Sequence, residues 1–278
     1  MIRVSGATFS FGEIDLEESA EVLNKLGFDL ADVGAGWSGF QQIAPQEAAE
    51  DPEGQAARLR RVMERNGLGI SELFIMQFEK AINHPDADVR QATRSMFDRI
   101  TTFAKIAGFQ SVMMIPGHVH DDLGQTGAQA FDTSIEELCG MVAVAGDKGL
   151  QCNVEPCVGS IAHHPDDAIR MVEAVPGLGL TLDYAHQVQL GLTHEQIEVL
   201  HPYARHVHAK QSAPGAFQAP AEEGTVDFGR IVRKLKTDGY DGVICIEFVT
   251  KQELLDAGWD FRQQTARLKQ IVDDALVA

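Results

Sequence analysis

The sequence predicts a single (β/α)8 TIM barrel, one domain over residues 1–278. Two observations carry this. Eight short β-rich apolar runs recur with starts 25 to 43 residues apart, and a stretch with helical periodicity follows each. That spacing is the length of one βα unit, because a crossover to a parallel strand needs a helix.

Taken in order, the first run is RVSGATF (3–9), and DLEESAEVLNKL (15–26) follows it with Leu16, Ala20, Leu23 and Leu26 on one face. FDLADVG (28–34) leads through a long loop (34–54) to a helical stretch at 54–66. LGISELFIM (68–76) is followed by 86–107, and SVMMIPG (111–117) by 131–148. LQCNVEP (150–156) precedes 165–174, and LGLTLDY (178–184) precedes 194–202. ARHVHAK (204–210) is followed by an irregular segment (211–226) and then 228–237. GVICIEF (242–248) closes the series with 252–276. Gly27, Gly67, Gly108, Gly149 and Gly239 stand where helices stop and strands begin. An open doubly wound sheet is the competing architecture. It calls for a Gly-rich phosphate loop after the first strand, and GATFSFGE is not G-x-G-x-x-G.

Composition narrows the function. Hydrophobic residues at 44% and charged residues at 23% are globular values. Lys and Arg number 23 against 41 Asp and Glu, a net charge of −18. Such a chain repels phosphate backbones and anionic lipid, so neither nucleic acid nor membrane is an expected partner. No apolar run approaches the length of a membrane span, and the start MIRVSGATFSFGEIDL does not read as a signal peptide. Cys139, Cys152, Cys157 and Cys245 form no C-x-x-C pair, which fits a reducing cytoplasmic location.

In such barrels the chemistry sits at the C-terminal ends of the strands. The fifth run ends in Glu155. The sixth ends in Asp183, with His186 just beyond. The seventh carries His206, His208 and Lys210, and the eighth ends in Glu247. Alternation puts Asn153 with Glu155, Thr181 with Asp183 and Cys245 with Glu247 on one face, and Val154, Leu182 and Ile246 on the other. The polar set therefore points into the barrel. Buried carboxylates need a compensating charge, and a divalent cation supplies one. Three oxygen donors and one nitrogen, with no thiolate, suit Mn²⁺ best, with Mg²⁺, Co²⁺ or Zn²⁺ as alternatives. His206, one inward step deeper, reads as a hydrogen-bonded core histidine. Lys210 reads either as a rim lysine or as a substrate contact. Asp32 faces the mouth or caps a helix.

These residues also carry a resemblance. NVEP (153–156), LDYAH (182–186), HVHAK (206–210), GTVDFGRIVRKLKTDGYDG (224–242) and ICIEF (244–248) are similar to the sugar phosphate isomerase/epimerase-like TIM barrels, the xylose isomerase-like or endonuclease IV-like superfamily. The stretch 83–117 looks like that family's third helix and fourth strand. The resemblance implies Glu155, Asp183, His208 and Glu247 as metal ligands, with Glu155 and Glu247 also moving the substrate's proton. It implies His186 as a contact to substrate oxygens, and a homo-oligomer, dimer or tetramer. The chain departs from the family's ketose 3-epimerases in one respect. It has no arginine between Arg205 and Arg230, which leaves Lys210 as the nearby cation.

The chemistry of such a site is proton abstraction beside a carbonyl through an enediolate. Return of the proton to the other face is epimerisation, and return to the neighbouring carbon is isomerisation. Loss of hydroxyl or carboxylate makes the enzyme a lyase. The leading expectation is a metal-dependent isomerase or epimerase of a small sugar, keto-sugar or cyclitol. The alternative is a dehydratase or decarboxylase of an oxidised sugar or sugar acid. A DNA-repair endonuclease is disfavoured by the acidic charge, and a non-catalytic barrel by the intact ligand set.

Loops after the strands are expected to set substrate choice. Trp37 and Phe40 in the 34–54 loop read either as an aromatic wall against a sugar's C–H face, with Trp37 a substrate contact, or as aromatics packed on their own barrel. His118 is expected to touch substrate, and with His120 to sit at the rim. His163 and His164 read as a helix entry on the outer surface. Residues 211–226 read as a lid or an irregular connection, Cys157 as a buried small residue, and Trp259 as closing the mouth or serving a subunit contact.

Overall fold

A computed structural model describes residues 1–12, 14–36, 42–78 and 80–278. Eight parallel strands pair in chain order and close into a barrel: β1 (Arg3–Ala7), β2 (Leu30–Ala35), β3 (Gly69–Ile75), β4 (Ser111–Met114), β5 (Gln151–Val154), β6 (Gly179–Asp183), β7 (Ala204–Ala209) and β8 (Val243–Ile246). Closure is the pairing of β8 with β1, in the register Ser5 to Cys245. The single (β/α)8 barrel expected from the alternation is the fold. Eleven helices surround it among the described residues: α1 (Leu16–Lys25), α2 (Pro45–Glu50), α3 (Pro52–Arg65), α4 (Ala87–Ala107), α5 (Gly127–Asp147), α6 (Pro165–Ala174), α7 (Tyr184–Gln189), α8 (His194–Glu198), α9 (Phe228–Thr237), α10 (Gln252–Asp256) and α11 (Phe261–Val277). None is long and apolar enough to cross a membrane.

The outward strand residues form the main core with the helices. Val112, Met114, Val154, Leu180, Leu182, Val207, Ile244 and Ile246 are all buried there. Full burial of one such side chain contributes about 1.5–3 kcal/mol. The inward side carries a smaller apolar cluster of Ala7, Phe9, Phe74, Met113, Ile115, Cys157 and Cys245. Caps follow the local sequence. Asp86 accepts from the Asp88 N–H to open α4, and Gly108 at φ 98° closes it.

The helices differ from the periodicity reading in five places. Two of them are that α5 starts four residues early, at Gly127, and that α7 has no counterpart in that reading. The 34–54 loop contains α2, and α3 starts two residues earlier than expected, with Asp51 accepting from the Gly54 N–H. The stretch 194–202 is helical only to Glu198, and Pro202 lies in a separate short 3-10 turn. The stretch 252–276 is two helices, because Gly258 at φ 84° breaks it and Asp260 caps the second. Trp259, in that break, packs edge-on against Phe248 with ring centroids 6.3 Å apart.

Below the mouth the barrel is filled by polar side chains. Glu72 is fully buried and accepts hydrogen bonds from Ser111 Oγ (2.7 Å), Asn153 Nδ2 (2.7 Å) and Thr181 Oγ1 (2.8 Å). Asp32 faces inward. It accepts from Ser5 Oγ at 2.8 Å and pairs with His206 Nε2 at 2.6 Å. His206 is thus the core histidine its deeper position suggested.

Candidate active site

Glu155, Asp183, His208, Lys210 and Glu247 come from the ends of β5, β6, β7 and β8 and are all buried. Register explains the convergence. Asp183 sits opposite His208, and His208 opposite Cys245, so the inward rows of neighbouring strands lie side by side. His208 Nδ1 is 2.6 Å from Glu247 Oε2 and 3.0 Å from Glu155 Oε1. Lys210 Nζ is 2.8 Å from Asp183 Oδ2 and 3.2 Å from Glu247 Oε1. At 1% exposure, Lys210 is no rim lysine.

Asp183 has two duties. It opens α7, with Oδ1 accepting from the Ala185 N–H at 2.8 Å, and it turns Oδ2 inward. His186, one turn on, accepts from the Val158 N–H at Nδ1. That puts the ring proton on Nε2, which faces Asp183 at 3.5 Å and Glu155 at 3.8 Å. Burial, then the Lys210 charge, lowers the His186 pKa, so the ring is a neutral donor. Burial opposes charge on His208 too. There Glu247 and Glu155 prevail and raise its pKa well above the usual value. Burial likewise opposes charge on Glu247, but Lys210 and His208 hold it below the ordinary carboxylate range. Burial and the nearby Glu155 charge push the Cys157 thiol far up, so it remains a protonated small residue and not a nucleophile.

The donors at the mouth form two overlapping triads, each with its ligand atoms within 4.8 Å, Glu155–Asp183–His186 and Glu155–His208–Glu247, and His208 also belongs to a deeper group with Asp32, His206 and Cys245. Asp183 Oδ2 and Glu247 Oε2 are buried with charge contacts but no well-aligned hydrogen bond. Three buried carboxylates around one centre, two with an oxygen lacking such a bond, fit a hard divalent cation.

A cavity of about 230 Å³ opens on this cluster. One wall is Glu155, His186, Lys210 and Glu247. The other is Phe74, Met76 and Ile115, from β3 and the β4 exit. His118 lines it as well. Its backbone is pinned by Asn83, whose Nδ2 donates to the His118 carbonyl at 2.7 Å. Gly117, at φ 111°, lies so close to Asn83 that a Cβ would meet its side chain at 2.6 Å. His120 instead packs on His84, with ring centroids 5.0 Å apart. His163 and His164 lie ring to ring, tilted at 47°, at the entry of α6, outside the cavity lining. Trp37 and Phe40 lie outside the described residues.

A family model for the xylose isomerase-like TIM barrel matches residues 20–271, most of the chain. The chain belongs to that family. It is 28% identical to an uncharacterized protein of Methanocaldococcus jannaschii over 145 residues, 49% of this chain. It spans about half the length of that curated relative. Its fold is similar to that of a D-psicose 3-epimerase with D-tagatose from Clostridium cellulolyticum H10: TM-score 0.79, 15% identity, 99% of each chain covered. It is similar also to a xylose isomerase-like TIM barrel protein from Mycobacterium smegmatis in complex with magnesium: TM-score 0.71, 18% identity, 99% and 98% covered.

Sequence reasoning missed two residues in this xylose isomerase-like barrel. Glu72 shares its face with Phe74 by simple alternation, so the signal was present in LGISELFIM. Phe217 had no such signal. It lines the cavity from the 211–226 segment, edge-on to His186 at 5.5 Å and beneath Lys210 at 4.5 Å. That segment is bolted down. Ser212 Oγ donates to the Ala185 carbonyl, Gln218 exchanges two hydrogen bonds with the Val249 backbone, and the Ala221 N–H donates to Gln264. It is a fixed strap that presents Phe217 to the cavity.

Proposed function

We propose that the chain is a divalent-metal-dependent isomerase or epimerase of a small sugar, keto-sugar or cyclitol. One observation carries this reading: Glu155, Asp183, His208 and Glu247 converge, buried, from four successive strands, and Glu155 and Glu247 line one cavity. Glu155, Asp183, His208 and Glu247 would hold the ion, Mn²⁺ in the first instance. When bound, it polarises the substrate carbonyl and acidifies the neighbouring C–H.

The residues do the rest. One of Glu155 and Glu247 takes the proton from carbon, and the C–H electron pair becomes the new C=C bond of the enediolate. The other carboxylic acid returns a proton to the opposite face, which inverts that carbon. His186 Nε2–H and the Lys210 ammonium donate to substrate oxygens, and His118 contacts the far end. Phe74, Met76 and Ile115 exclude water and cover the C–H face. The cavity, about 230 Å³, lies below the roughly 300–1,000 Å³ of drug-sized pockets, which suits a compact polyol. The family and the 3-epimerase structures of the same fold support this class.

A second reading, a lyase on an oxidised sugar or sugar acid, rests on Lys210. No arginine lies between Arg205 and Arg230, and a buried ammonium in the cavity suits a carboxylate substrate. The test is Mn²⁺-exchanged protein in heavy water with a panel of ketoses, inososes and oxidised sugar acids, followed by proton NMR. Deuterium entering a C–H beside a carbonyl, with the substrate otherwise intact, supports the isomerase or epimerase. Release of water or CO₂ from a sugar acid assigns the lyase. Inertness towards every compound removes this substrate class.

A further inference from the structure

We infer that Lys210 is the resident counter-ion of the metal-free site, and that metal loading takes Asp183 from it and releases the ammonium into the cavity. This rests on the metal-dependent reading above and adds a coupling that reading does not contain.

The argument begins at one atom. Asp183 has two oxygens, and Oδ1 is committed to the Ala185 N–H at the start of α7. Only Oδ2 faces the site, and Lys210 Nζ holds it at 2.8 Å. An ion using Asp183 as ligand must call on the oxygen that Lys210 already occupies. Glu247 is divided in the same way. Oε1 lies 3.2 Å from Lys210 and Oε2 lies 2.6 Å from His208 Nδ1. Asp183 and Glu247, two of the carboxylates the ion would take, are thus already paired with the Lys210 ammonium.

Charge requires this arrangement. Glu155, Asp183 and Glu247 bring three carboxylates into a buried cluster, where like charges repel strongly. Lys210 is fully buried, so water does not share the work of screening them. A divalent ion makes Lys210 redundant as a counter-charge and repels it at close range. The ammonium has a second resting place. It lies 4.5 Å from the Phe217 ring centroid, on the strap that roofs the cavity. Displacement from Asp183 leaves it there, facing the space where substrate oxygens would sit. Metal loading and presentation of the substrate-binding cation are then one event, and part of the ion's binding energy goes into breaking the Lys210 pair.

Lys210→Met keeps an unbranched side chain one atom shorter and removes its charge, and Lys210→Arg keeps a charge. Mn²⁺ affinity is measured by calorimetry on metal-stripped protein, and thermal stability with and without Mn²⁺. The expected result is at least tenfold tighter Mn²⁺ binding in Lys210→Met. Its metal-free melting temperature falls, and its Mn²⁺-loaded melting temperature stays close to that of the parent. Lys210→Arg stays near the parent in affinity. Should the metal-free Met variant fail to fold, it is prepared with Mn²⁺ and challenged with a chelator. Metal loss slower than in the parent supports the inference, and equal or faster loss overturns it. Equal or weaker Mn²⁺ binding in Lys210→Met overturns it too, while leaving the metal site intact. No Mn²⁺ binding to parent or variant removes the metal reading and this inference together.

Discussion

Strands β5–β8 and strands β1–β4 share one geometry and carry opposite contents at the mouth. The first group ends in Glu155, Asp183, His208 with Lys210, and Glu247. The second presents Phe9, Phe74, Met76, Met113 and Ile115, and keeps its charges deeper, at Asp32 and Glu72. A carboxylate near the cavity and one sealed in the barrel are both buried, but they are satisfied differently. Glu72 has three hydrogen-bond donors in fixed positions, whereas Asp183 and Glu247 each keep a buried oxygen without a well-aligned one. The first arrangement is structural. The second is open to a ligand at the mouth, whereas Asp32 Oδ2, which also lacks such a bond, lies deeper and is paired with His206. On the proposed function, the two halves divide a substrate between a polar edge and an apolar face.

The largest expected effect lies in the polar half. Glu155→Gln and Glu247→Gln should each lower kcat about 10²–10⁴-fold with the fold retained, as steady-state kinetics and circular dichroism would show. Full activity in both variants would break the division of labour. Glu72→Ala should do the converse. It strands three buried donors and should cost about 3–5 kcal/mol in urea unfolding. A stability loss for Glu72→Ala no greater than for Glu247→Gln would erase the contrast.

A subtler effect concerns pH. Burial opposes charge on both Asp32 and His206, yet their pairing lowers the Asp32 pKa and raises that of His206. The His206 contribution is full below about pH 6.5 and fades as pH rises through its raised folded value. The Asp32 contribution is present above about pH 3.8 and fades as pH falls through its lowered folded value. His206→Gln should therefore flatten the alkaline decline in melting temperature of the metal-free protein. Some decline should remain, because the His208 pKa is raised too. Parallel curves for variant and parent would show that the pair does not set this limb. The smallest effect belongs to the apolar wall. Ile115→Val should cost about 0.5–1.5 kcal/mol and leave kcat within a few-fold. A kcat drop comparable to that of Glu155→Gln would make the wall part of the chemistry.

Much of this was legible before the structure. Period-two alternation pointed Glu155, Asp183, His208 and Glu247 inward, because a strand has only two faces and Val154, Leu182 and Ile246 claimed the outer one. Glu72 was missed although alternation with Phe74 would have turned it inward, and a carboxylate in the middle of an apolar run carries no mark of what will pair with it. The burial of Lys210 was undecided. Its position on the strand was clear, but whether the last residue of a run is rim or interior depends on what lies above it, here the strap bearing Phe217.

The sequence by itself determined the eight-fold alternation, the closed barrel and the face each strand residue takes, because these follow from local periodicity and from crossover length. Only the tertiary structure decided the pairings: Asp32 with His206, Glu72 with three donors on three strands, and Lys210 with Asp183. Those depend on strand register and on ångström-scale distances between residues far apart in the chain, and electrostatics in a buried site depends steeply on such distances.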